Sequence, residues 1–159
     1  MRGAAPYTVP LLAALALLWQ GCRVRDLTEG PYDFTASSVE RDDCLLNPAA
    51  GPLPSADLTS TGNWIYLQYD WFGMQLAGRY RDQGFFDDGP EQFFVDGSAQ
   101  NVSADVGGVH CTLDAATAHL EGTTLSDTRF TGTLRFRYEA RQPDECYCET
   151  WVTFQALHR

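Results

Sequence analysis

Residues 128–159 read TRFTGTLRFRYEARQPDECYCETWVTFQALHR, and this stretch decides the fold. From Phe130 to Tyr138 every second residue (Phe130, Gly132, Leu134, Phe136, Tyr138) falls on one face. The alternate positions carry Arg129, Thr131, Thr133, Arg135, Arg137 and Glu139. A period of two belongs to a strand, whose successive side chains point to opposite faces. After a turn at RQPDE the pattern resumes, with Cys148, Thr150, Val152, Phe154 and Ala156 on one face and Tyr147, Glu149, Trp151, Thr153 and Gln155 on the other. β-Branched and aromatic residues suit a half-buried pleated surface. The stretch is predicted to be a long antiparallel hairpin.

Upstream, Tyr32 to Asp42 is a strand candidate leading into Cys44. LLNPAAGPLPSADLTSTGN then carries three prolines, two glycines and many small residues, which predicts a loop of about 18 residues. Trp64 to Phe72 alternates again, with Ile65, Leu67, Tyr69 and Trp71 on one face. Met74, Leu76, Gly78 and Tyr80 continue the inward set. A short strand is expected at Gln92–Val95, a two-residue type I′ turn at Asp96-Gly97, and a return strand at Ser98–Val106. Two further strands follow, one through Val109, Cys111, Leu113 and Ala115, the other through Ala118 and Leu120 and ending at Gly122. Eight or nine short strands with turns every 8–12 residues predict an all-β antiparallel meander, a closed barrel in preference to an open sandwich. Closure removes exposed sheet edges.

The N-terminus has a different character. Arg2 precedes the apolar run LLAALALLW, which has signal-peptide length and ends at Gln20-Gly21-Cys22. A small residue followed by cysteine after a leucine-rich core resembles the lipobox of bacterial lipoproteins. Gly21 and Cys22 match, whereas Trp19 and Gln20 depart from the usual pattern and Leu18 falls one place early. The resemblance implies a signal peptide over 1–21, acylation of Cys22, a tether over 22–31 and a single β domain over 32–159. It also implies anchoring to a membrane through acyl chains; Arg23 after the cysteine points to the outer membrane. Two or three chains hold firmly where one does not.

The chain carries a net charge of −10 and no lysine; residues 1–21 hold only Arg2, so the processed chain is at −11. Such a surface repels phosphate backbones, which argues against nucleic-acid binding. With Cys22 assigned to lipid, Cys44, Cys111, Cys146 and Cys148 remain, an even set that reads as two disulfides in an exported domain. Cys146 and Cys148 lie one residue apart on one face and are poorly placed to bond each other. In a closed barrel the first and last strands pair. Setting Phe34 opposite His158 puts Val39 opposite Thr153 and Cys44 opposite Cys148, leaving Cys111 for Cys146. That pairing is expected over the swapped one.

No catalytic or cofactor motif stands out, and no cofactor is expected. His110 and His119 could approach on neighbouring strands with Asp114 or Glu121, but solvated surface histidines are the plainer reading. Cys-x-Cys at 146–148 could take a soft metal, but disulfides are preferred. Asp87, Asp88 and Glu91 lack the EF-hand spacing. Trp64, Tyr66, Tyr69, Trp71 and Phe72 are the candidate lining of an apolar ligand site, set against plain core packing. Gly62-Asn63-Trp64 resembles the Gly-x-Trp of lipocalins, which implies a barrel around a small apolar ligand. The sequence therefore favours a non-enzymatic envelope lipoprotein with a structural or interaction role. Apolar ligand binding is the alternative, and a hydrolase using paired carboxylates comes last.

Overall fold

The computed structural model describes residues 27–45, 51–81, 91–140 and 146–159; the signal segment and Cys22 lie outside them. Eight strands follow in order: β1 (Gly30–Asp42), β2 (Pro52–Thr61), β3 (Trp64–Tyr69), β4 (Met74–Tyr80), β5 (Gln92–Val106), β6 (Val109–Ser126), β7 (Arg129–Glu139) and β8 (Cys148–His158). A 3₁₀ turn, Trp71–Gly73, joins β3 to β4. Each strand pairs antiparallel with the next and β8 closes on β1, giving an up-and-down barrel. β7 and β8 pair from Arg129↔Leu157 to Tyr138↔Cys148, with the expected residues facing inward.

The seam between β1 and β8 begins at Tyr32↔His158 and Phe34↔Ala156, two residues away from the expected register. Irregularities between Ala36 and Ser38 and between Val39 and Arg41 each admit one extra residue into β1. By Asp42↔Thr150 the register is the expected one, and Cys44 bonds Cys148 with Cα atoms 5.1 Å apart. A bulge adds twist and bends its strand. Two of them preserve which face points inward, because the side-chain period is two.

Three expectations about strands are corrected. The predicted 45–63 loop contains β2, whose Ala56 and Leu58 are buried. Pro52 and Pro54 sit at its start, before the pairing with β3 begins at Ala56, where a missing N–H is tolerated. Asp96-Gly97 is not a turn. β5 runs through it, with Asp96 opposite His119 and Gly97 opposite Ala118. A Cβ on Gly97 would stand 2.5 Å from the Gln75 backbone carbonyl oxygen, so this glycine permits close approach to β4 rather than a chain reversal. The reversal comes at Gly107-Gly108, with φ of 56° and 87°, as a type I′ turn demands. β6 likewise runs unbroken to Ser126, past Gly122.

β5 and β6 are thus longer than their neighbours. β4 pairs with β5 only through Asp96, and β7 pairs with β6 only from Ala115, so residues 98–114 form a two-stranded ribbon beyond the barrel wall. At Asn101, with φ 53°, the alternation shifts. Val106, Cys111 and Leu113 then face the same core as the barrel interior. Cys111–Cys146 fastens the ribbon to the β7–β8 connection, and a Cβ on Gly107 would lie 3.2 Å from Leu45 Cδ1. Both disulfides therefore staple one end of the barrel.

Cys44–Cys148 spans 104 residues and Cys111–Cys146 spans 35. Chain entropy values these at about 4–5 and about 3–4 kcal/mol respectively. Replacing Cys44 and Cys148 together with alanine is expected to cost roughly the larger figure in denaturant unfolding. Replacing Cys111 and Cys146 should instead speed amide exchange across 98–114 before the barrel opens. A uniform rise in exchange over all strands would show that the second staple does not act locally.

Candidate functional site

The barrel interior is the first place to look for a ligand, and it holds a column of aromatic rings. At the end where the N-terminal segment enters, Tyr32 lies 5.3 Å from Phe130, and Tyr80 lies 5.7 Å from Phe93. Phe130 is the hub, with Phe93 at 5.2 Å, Phe34 at 5.6 Å and Phe154 at 5.8 Å. Phe34 reaches Tyr69, Tyr69 stacks on Phe136, and Phe136 meets Trp71 at 4.5 Å. Tilted and edge contacts at these separations suit the ring quadrupoles. The column runs from one barrel end to the other.

Against that column the candidate ligand-lining residues divide. Trp64 is 53 % exposed, and Tyr66 shares its outward parity, so neither lines the interior. Gly62-Asn63-Trp64 is the tight turn between β2 and β3, with Gly62 at φ 60° and Thr61 opposite Trp64. Trp71 and Phe72 lie on the 3₁₀ turn, packed on Phe136 and Tyr138 as part of the plug. Only Tyr69 points into the barrel, and its ring is held between Phe34 and Phe136.

The hydroxyls of Tyr32, Tyr69 and Tyr138 keep their protons. Burial raises Tyr32 and Tyr138 from 10.0 to about 12 and raises Tyr69 further, with the adjacent Asp70 carboxylate adding to it. Tyr32 Oη donates to the Thr28 carbonyl at 2.8 Å. Tyr69 Oη has no partner among the described residues.

The outer wall offers a different kind of site. A groove of about 490 Å³ lies across β5, β6, β7 and β8. Strand register builds it from two adjacent cross-strand rows. Asp96, His119, Arg135 and Trp151 stand opposite one another in the first, and Ser98, Thr117, Arg137 and Glu149 in the second. Gly97 and Ala118 keep its floor low. His119 Nδ1 is 2.6 Å from Asp96 Oδ1, and its Nε2 is 3.4 Å from Glu121 Oε1. The Arg135 guanidinium lies 4.1 Å over the Trp151 ring, a cation–π contact. Glu149 accepts from Arg41 at 3.1 Å and lies 4.0 Å from Arg137. Glu149 is only 17 % exposed, but Arg41 and Arg137 are each 48 % exposed and Asp96 61 %, so water screens these pairs and each contributes little to stability.

Both nitrogens of His119 face carboxylates, so it is not aimed at the hydroxyl of Ser98 or Thr117 as a general base would be. Asp96 and Glu121 have side chains 61 % and 51 % exposed, which does not supply the desolvated carboxyl that a hydrolase pair needs. His110 and His119 lie on one strand nine residues apart, not on neighbouring strands, and His110 pairs with Asp105 at 3.0 Å. Among the described residues no three His, Cys, Asp or Glu side chains converge as metal ligands. The groove offers fixed donors and acceptors in two parallel rows. Its individual residues were legible in the sequence, but their convergence needed the register across four strands.

Two measurements check the interior. Tyr69→Phe removes an unpartnered buried hydroxyl and should leave stability unchanged or raise it by up to about 1 kcal/mol, whereas Phe130→Ala should cost about 3–5 kcal/mol. A clear loss in Tyr69→Phe would reveal a bound partner for that hydroxyl. Because the folded phenols titrate above their unfolded value, their contribution is whole below pH 10 and is lost as pH rises through about 12. Melting temperature should accordingly fall steeply over that window. No known protein family, curated protein or solved structure matches this chain.

Proposed function

We propose that this chain is an exported, lipid-anchored, non-enzymatic envelope protein with a structural or interaction role. It is held to the outer membrane by acyl chains on Cys22, and its barrel serves as a rigid body that a partner recognises from outside. The single observation that carries this reading is the unbroken ring column through the barrel. A filled interior leaves recognition to the outer wall, where the two rows of the β5–β8 groove present arginine donors beside carboxylate acceptors. Two disulfides suit an oxidising, extracytoplasmic compartment. The lipobox-like Gly21-Cys22 supplies the anchor.

The alternative, a small apolar ligand inside a lipocalin-like barrel, needs space along the axis that Phe34, Phe130 and Phe136 occupy. Native mass spectrometry of the purified protein separates the two readings. The interaction role predicts a mass equal to the processed chain with its acyl groups and nothing further, whereas a co-purifying lipid or other apolar molecule overturns it. In cells, Cys22→Ser is expected to move the protein from the membrane fraction to the soluble extracytoplasmic fraction. Unchanged retention would sink the anchor.

A further inference from the structure

We infer that the barrel end carrying Trp64, Leu125 and Leu157 rests on the bilayer surface, which orients the stapled end away from the membrane. The inference deepens the anchored reading above and rests on it.

It starts from the point where the N-terminal segment joins the barrel. Leu27 is buried in the core. Thr28 N–H donates to the Asp127 carbonyl at 2.7 Å, and the Glu29 carboxylate accepts from Ser60 N–H at 2.7 Å. His158 Nε2 lies 3.2 Å from the Glu29 carbonyl. Residues 27–31, which the sequence assigns to the tether, are thus fixed in the barrel end, and five residue steps separate Leu27 from Cys22. Five residues span at most about 18 Å. An anchor at Cys22 must bring this end close to the lipid, while the opposite end stands about 25 Å further out along tilted strands of this length.

The same three hydrogen-bond partners mark the exposed apolar side chains. Leu125 (40 % exposed) lies two residues before Asp127, and Leu157 (55 %) directly precedes His158. Trp64 (53 %) follows Ser60 across the Gly62-Asn63 turn. They ring the exit of the tether, where an amphipathic indole and two leucines would meet the headgroup boundary.

The opposite end exposes apolar groups too, Leu45, Val109 and Tyr147, and the place where the N-terminal segment joins the barrel separates the two. Around Trp64 and Leu157 stand Arg79, Arg81, Arg129 and Arg159, with Arg79 directly opposite Trp64 and Arg129 opposite Leu157. Nearby carboxylates offset these arginines, and Arg159 is held by Asp33 at 2.6 Å.

Hydroxyl-radical footprinting of the acylated protein in phosphatidylethanolamine–phosphatidylglycerol vesicles, with the Cys22→Ser protein free in solution as reference, reads both ends at once. Oxidation of Trp64, Leu125 and Leu157 should fall several-fold on the vesicle, while Leu45 and Tyr147 stay as reactive as in solution. Protection at Leu45 and Tyr147, or at neither end, overturns the orientation. If intact mass shows Cys22 without acyl chains, the anchored reading fails by itself. The rim is then read by the same footprint on protein coupled through the Cys22 thiol to a maleimide lipid, and absence of protection there rejects it.

Discussion

Closure of β8 on β1 is the constraint on which everything else depends. Without it the sheet has two free edges and its aromatic face is open to water. With it, Phe34 from β1 and Phe154 from β8 meet at 5.1 Å and join the column through Phe130. Backbone pairing from Tyr32↔His158 to Asp42↔Thr150 makes the seam, and Cys44–Cys148 locks its far end. The lock is worth about 4–5 kcal/mol, of the order of a domain's whole net stability. A disulfide-bonded domain can place that much of its stability in one covalent bond. The rest of its small core then has less to supply.

The seam also shows what alternation can and cannot reveal. Period-two patterning made β7, β8 and β4 plain, because each buries one face and wets the other. The pairing of Cys44 with Cys148 followed from a rigid register that is wrong at Phe34 and right at Cys44. The two bulges between them leave no compositional mark in TASSVERD. Since their combined slip is even, the faces are exchanged only between the bulges, where Val39 packs on the core and Ser38 turns outward to Thr153. β2 was hidden for the opposite reason. Its inward signal is only Ala56 and Leu58, and Pro52 and Pro54 mask it, although both lie outside the stretch that needs N–H donors on both sides. At Asp96-Gly97 the glycine was read for its freedom at positive φ, when the wall needed its missing Cβ.

Residue type misled where geometry decided. An aromatic cluster at 64–72 suggests a ligand cage, yet the pleat sends Trp64 and Tyr66 outward while Ile65, Leu67 and Tyr69 fill the inside. The polar groove posed the converse difficulty. Arginines 135 and 137, His119, Asp96 and Glu149 are unremarkable singly, as any outward strand position is. They form a site because four strands align in two rows, and a slip of one residue at any of the three interfaces would scatter them. Surface sites on barrels are therefore harder to read from sequence than cores.

The two barrel ends are sealed by different means, and the difference bears on function. At the tether end the seal is local and hydrogen-bonded: Leu27 enters the core and Tyr32 ties Thr28 to the wall. At the far end a ribbon grown from β5 and β6 folds over the opening, and Cys111–Cys146 holds it there. A lipid-binding barrel needs one end through which a ligand can pass. Here the ribbon presses Val106 and Leu113 onto the core, and the Trp71–Gly73 turn lays Trp71 against Phe136 from the side. Opening that end would expose apolar surface and strain a covalent staple together, and the interior behind it is already filled with rings. The stored stability of this fold thus favours a body that keeps its shape, as the proposed recognition on the outer wall requires.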